Sequence, residues 1–287
     1  MKAFIILTVS LVMNTSFAMD KVIYGDDNRR DIYDTTNSLY LELAQSTAAM
    51  IAHSKLTDKG TITEISGNTL ESRGMCSTIR FSQQITAANC SGFLVGPDLL
   101  VTAGHCIQSM SDCEGSAWVF GFAVNNDGEK ATEVASKDVY KCVEILERKL
   151  DRPTQDDFAL IRLDRVAADR TPLTFRKTGK IADTQSIVVI GHPTGLPTKV
   201  SDGANVRKNT NDYFFVANLD TFGGNSGSAV FNAETGEVEG ILVRGENDYV
   251  WSDENGSRCR VPQQCTNDAC RGEDVTRITN IKTLMNM

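Results

Sequence analysis

The sequence predicts an all-β fold, barrel or sandwich, on three observations. Short apolar runs of four to seven residues recur along the chain, and turn-rich segments such as Glu234-Thr235-Gly236 separate them. Helical spacing of apolar residues is confined to one stretch near the amino terminus. Many short strands at such spacing are what barrels and sandwiches require.

The elements follow in chain order. Residues 1–18 read as a signal peptide: Lys2 supplies the positive start, 3–13 an apolar run too short to span a bilayer, and Ser16-Phe17-Ala18 a small-x-small cleavage site. Cleavage after Ala18 removes one Lys and no acid, taking the formal net charge from -8 to -9. Met19-Asp20-Lys21 is then a short pro-segment, 19–21, ahead of Val22. Leu39, Leu43, Met50 and Ile51 recur at helical spacing, so one amphipathic helix is expected over 37–53. Strand, turn and strand follow at 92–95, 96–98 and 99–101. Further strands are expected at 117–123, 157–163, 186–191, 213–217, 228–231 and 238–243, with a link between two halves at 164–177.

Acids outnumber Lys plus Arg by 37 to 29, which argues against nucleic acid or an anionic membrane as partner. No apolar stretch after the signal is long enough for a membrane anchor. All eight Cys follow the signal, and an even count there reads as a disulfide framework in an oxidising compartment, secreted or periplasmic. Metal is not expected: no C-x-x-C occurs, Cys259, Cys265 and Cys270 are spaced too widely for ligand pairs, and the three His form no H-E-x-x-H. No cofactor is expected either.

Three segments set reactive groups among small residues: Thr102-Ala103-Gly104-His105-Cys106, Asp157-Phe158-Ala159-Leu160 and Gly223-Gly224-Asn225-Ser226-Gly227-Ser228. Hydroxyl attack on a carbonyl needs a nucleophile, a base of near-neutral pKa, and a carboxylate holding that base in one tautomer. Ser226, His105 and Asp157 fit those roles, with Asp151 and Asp156 as competitors for the carboxylate. Glycines around Ser226 let backbone N–H groups approach a tetrahedral oxyanion, where each donor is worth ~2.7–4 kcal/mol. Gly224 and Ser226 are the expected oxyanion pair. His53 and His192 read as surface or structural.

These boxes, in the order His, Asp, Ser, resemble those of chymotrypsin-fold serine peptidases, and Asn225 before the serine resembles the bacterial V8-like branch that includes glutamyl endopeptidases. Gly191-His192-Pro193 falls where that branch has Gly-Tyr-Pro. The likeness covers most of 22–243, with departures at 54–73 and in the Cys-rich tail. It implies two perpendicular six-stranded antiparallel β-barrels with the active site in the cleft between them. With an amino-terminal helical extension, the peptidase domain is expected over 22–287, the first barrel at about 75–165 and the second at about 175–271. It implies a monomer acting on protein or peptide substrates, with maturation by a cut after Lys21. A Cys90–Cys106 bridge is also implied, worth about 3 kcal/mol for a loop of that length. Nearness along the chain pairs Cys113 with Cys142; Cys76, Cys259, Cys265 and Cys270 stay open.

The same resemblance implies a substrate pocket built from Asp220, Thr221, Val243, Arg244 and Gly245. Asp220, six residues before Ser226, stands where trypsin-like enzymes carry the carboxylate that selects Lys or Arg. Thr221 suits a glutamyl pocket, but Leu242 occupies the place of that pocket's His. Arg244 is free to pair with Asp220 or to point to solvent, and Asp220 to turn away altogether. Cleavage after Lys or Arg is the expectation. A protease fold kept as a catalytically silent binding or toxin-like protein is the alternative. A lipase-type elbow is disfavoured, because Ser228 replaces its last Gly and the residue order is reversed.

Overall fold

The computed structural model describes residues 22–254 and 256–287. The expected signal peptide, 1–18, and pro-segment, 19–21, lie outside the described residues. Strands β1 (Thr47–Ala52), β2 (Ala88–Gly96), β3 (Leu99–Thr102), β4 (Ser116–Phe120), β5 (Val139–Leu150) and β6 (Asp157–Leu163) close a barrel in the order β1-β2-β3-β6-β5-β4. Strands β7 (Ser186–Gly191), β8 (Lys199–Lys208), β9 (Phe214–Ala217), β10 (Ala229–Asn232), β11 (Val238–Arg244) and β12 (Glu273–Arg277) close a second in the order β7-β8-β9-β12-β11-β10. Both barrels thus use one wiring pattern, and closure leaves neither with two open sheet edges. Among the described residues, no helix is long and apolar enough to cross a membrane.

The helix expected over 37–53 is a correction. Helix α1 (Ser38–Ala44) starts where the Asn37 side chain accepts from the Leu39 N–H and ends after seven residues. The remainder is β1, lying between β2 and β4, with Met50 opposite both Cys90 and Trp118. Five of its six residues are buried, so the sequence shows a continuous Ala-rich apolar run instead of alternation. Pairing on both edges overrides the helix preference of its alanines. The first barrel accordingly begins at Thr47, not near 75, and the last strand of the second runs to Arg277, past 271.

Residues 22–31 lie against the second barrel. Ile23 and Tyr24 pair in parallel with Gln264 and Cys265, and Arg29 and Arg30 add an edge to β8. Asp31 meets the buried Lys199 ammonium at 2.6 Å, which also donates to Gln84 at 2.8 Å. Disulfides join Cys90 to Cys106 and Cys113 to Cys142, and the four cysteines left open pair as Cys76–Cys259 and Cys265–Cys270. Cys76–Cys259 spans 183 residues and staples the segment before β2 to a hairpin of strands Tyr249–Glu254 and Ser257–Pro262.

Candidate active site

Strand register brings His105 and Asp157 together. Ala159 on β6 faces Thr102 on β3 in an antiparallel pair, so Asp157 falls level with residue 104, beside His105. Gly104 is required there, since a Cβ would stand 2.0 Å from the Lys149 carbonyl oxygen. Asp157 Oδ2 lies 2.7 Å from His105 Nδ1, and its Oδ1 accepts the His105 backbone N–H at 3.1 Å. This double contact fixes ring and main chain together. His105 Nε2 is buried and has no hydrogen-bond partner among the described residues. The competing carboxylates are engaged elsewhere: Asp156 accepts from Asn280 at 2.7 Å, with burial raising its pKa, and Asp151 accepts the Thr154 N–H at 3.0 Å.

Ser226 comes from the second barrel, in the turn between β9 and β10, and is fully buried. Gly224 and Gly227 sit at φ +98° and +89°, a left-handed region that side chains disfavour. The Gly223 carbonyl accepts from the Thr194 N–H. In a trans peptide this turns the Gly224 N–H the opposite way, where among the described residues it has no acceptor. Ser91 on β2, which sequence reasoning missed, ties the loop to the first barrel. Its Oγ donates to the Gly224 carbonyl at 2.8 Å and its N–H to the Ser226 carbonyl at 2.8 Å. Nothing in the sequence marks this serine, because its partners are backbone groups far along the chain.

The expected pocket is only partly assembled from its expected residues. Asp220 is turned away and clamps the amino-terminal segment, accepting the Tyr24 N–H at 2.7 Å and the Asn28 N–H at 2.9 Å. Burial pushes its pKa up to about 7 despite those two donors. Arg244 neither pairs with Asp220 nor points to solvent. It reaches Asp274 at 3.1 Å and the Gln155 carbonyl at 2.9 Å, with a guanidinium nitrogen 3.8 Å from Asp157 Oδ2. Val243 is buried on β11. Thr221 and Gly245 converge on Glu273, which the sequence reading missed: Thr221 Oγ1 donates to Glu273 at 2.8 Å, and a Cβ on Gly245 would lie 1.9 Å from its carboxylate. Its position beyond the Cys-rich tail, where the family likeness fails, hid it.

His192 is buried, donates from Nδ1 to the Leu196 carbonyl at 3.0 Å and is held neutral, burial lowering its pKa to about 3. Cys90, His105 and Cys106 cluster within 4.8 Å, as do Cys76, Glu254 and Cys259. In each cluster the two sulfurs are joined to one another and offer no thiolate to a metal.

A family model described as a trypsin-like peptidase domain matches residues 90–241, from the cysteine beside Ser91 to the pocket strand. The chain belongs to the trypsin-like peptidase family. Chymotrypsin-like elastase family member 3B of Macaca mulatta is 36% identical over 78 residues, 27% of this chain and 30% of that protein. An uncharacterized protein, y4fB, of Sinorhizobium fredii is 26% identical over 204 residues, 60% of this chain and 29% of that one. The chain thus spans less than a third of the length of these curated relatives. Among solved structures, a Glu endopeptidase in complex with MPD aligns at TM-score 0.51 and 18% identity, covering 92% of this chain and 98% of that one. The VesB protease of Vibrio cholerae aligns at TM-score 0.52 and 15% identity, covering 90% and 67%. Both share the trypsin-like two-barrel fold.

Proposed function

We propose that this trypsin-like protein is an exported serine endopeptidase that cleaves peptide bonds through an acyl-enzyme. The observation that carries the reading is the 2.7 Å contact from His105 Nδ1 to Asp157, which leaves Nε2 as the basic nitrogen. Ser226 Oγ adds to the substrate carbonyl carbon and its proton passes to His105 Nε2. The Gly224 and Ser226 N–H groups receive the oxyanion. Collapse expels the amine, which takes the proton from His105, and leaves an ester on Ser226. Water, deprotonated by His105, then hydrolyses that ester. Asp157 stabilises the imidazolium in both steps.

Selection of Lys or Arg before the scissile bond is assigned to Glu273 in place of Asp220. A carboxylate between Thr221 and Gly245 attracts a cationic side chain and repels an acidic one, so Thr221 serves Glu273 and not a glutamyl substrate. Four disulfides and the signal-like 1–18 segment support export. A cut after Lys21 would give a mature terminus at Val22, whose carbonyl accepts from the Thr221 N–H beside the pocket.

The test is labelling of the processed protein by a fluorophosphonate probe alongside peptide cleavage. Wild type is expected to label and to cleave, and Ser226→Ala to do neither while keeping its circular dichroism spectrum. Cleavage by Ser226→Ala at the wild-type rate would overturn the assignment.

A further inference from the structure

The two regions that depart from the family pattern, 54–73 and the Cys-rich tail, meet in space, the Arg260 guanidinium donating to the Arg73 carbonyl at 2.7 Å. Just past residue 73, Cys76–Cys259 staples the contact, the Cys76 N–H donates to the Arg260 carbonyl at 2.9 Å, and the Arg260 N–H donates to the Gly74 carbonyl at 3.1 Å. Together they wall a cavity of about 810 Å³ that opens onto the nucleophile loop at Gly223 and Gly224. Thr221, Arg244 and Gly245 do not line it. A peptide whose acyl side occupies the Thr221–Gly245 pocket would therefore send its leaving-group residues into this cavity.

Three cations line it: Lys55, Arg73 and Arg260. Each is held by a neutral carbonyl oxygen. Lys55 Nζ donates to Ala87 at 2.8 Å, Arg73 to Thr194 at 3.0 Å, and Arg260 to Arg73 at 2.7 Å. Among the described residues none of the three has a carboxylate within ion-pair distance. Asp248, the acid of the lining, accepts the Gly223 N–H at 2.9 Å and so faces the nucleophile loop. Burial and then the Arg73 charge lower the Lys55 pKa, as expected where cations outnumber the one lining acid. The carbonyl contacts fix their positions without neutralising them, so the cavity is a preorganised anion site next to the reacting bond.

We infer that this cavity is a subsite for acidic residues on the carboxyl-terminal side of the scissile bond, so that the preferred substrate is a peptide with Asp or Glu one to three residues after the cut. The inference rests on the peptidase reading for its direction along the substrate, and its test is arranged to separate the two. A fluorescein-labelled peptide with two Glu after a central Lys, and its Gln isostere, are titrated into the intact Ser226→Ala protein and assayed for cleavage by wild type. The Glu peptide is expected to bind, and to be cleaved in kcat/KM terms, about tenfold better at low salt, with the advantage shrinking at about 1 M salt, where screening acts within about 3 Å. Combined Arg73→Gln and Arg260→Gln should bring the two peptides to parity. Because those arginines also brace carbonyls, Lys55→Gln is measured too and should reduce the advantage about threefold. Equal binding of the two peptides by the Ser226→Ala protein, or an advantage untouched by all three substitutions, overturns the inference. Failure of the peptidase reading would show separately, as absence of probe labelling and of any cleavage, with the binding arm still decisive for the cavity.

Discussion

Replacing Asp220 by Asn should change how stability depends on pH. The carboxyl lies 3% exposed against the Tyr24 and Asn28 N–H groups, and burial raises its pKa from 3.8 to about 7. That difference corresponds to about 4 kcal/mol. Below about pH 4 the group is protonated in both folded and unfolded chains, and its contribution is complete. As pH rises the unfolded chain ionises first while the folded protein resists until about 7, so stability falls across that window and levels off above it. Asp27 and Arg29 also act on this carboxyl, the first raising and the second lowering its pKa. The assay is urea denaturation of the Ser226→Ala protein with and without Asp220→Asn, at intervals from about pH 4 to 8. Other titrating groups cancel in the difference. The parent should lose up to about 4 kcal/mol relative to the Asn variant between those limits. A difference that stays flat, or that grows in the parent's favour as pH rises, would refute the argument that desolvation dominates at this site.

Asp157→Asn should keep the fold and lower kcat by about 10⁴, because the amide favours the wrong His105 tautomer. A loss below about tenfold in stopped-time peptide assays would remove Asp157 from its role. Glu273→Gln should lower the ratio of cleavage after Lys to cleavage after Leu by at least about tenfold in matched peptides, through loss of charge with little change of shape. An unchanged ratio would clear Glu273 of selecting the substrate.

The sequence was most legible where function depends on local backbone. Gly104 beside His105 and the glycines flanking Ser226 make room for backbone that comes from far along the chain, but the glycines themselves stand next to the groups they serve, so the signal is local. It was least legible where a side chain answers to something distant. Asp220 keeps the family spacing from Ser226, yet its carboxylate is satisfied by backbone donors more than 190 residues earlier, and spacing carries no trace of them. Glu273 lies in a tail with no familiar pattern, and only the closure of β12 onto β11 and β9 brings it to Thr221 and Gly245. Strand β1 was misread for a related reason: burial of nearly every residue erases the alternation by which strands are recognised.

The amino-terminal segment gives the order of synthesis a consequence. Residues 22–25 are made long before their partners, Asp220, Thr221, Gln264 and Cys265. Contacts of such long sequence separation form slowly, because a large loop must close before they reward it. The segment must therefore wait, undocked, until the chain has been made through Cys265, and only then can the turn carrying Asp220 and Thr221 be braced from behind. A nascent or truncated chain that ends with its first barrel carries His105 and Asp157, yet lacks both Ser226 and the brace behind its loop.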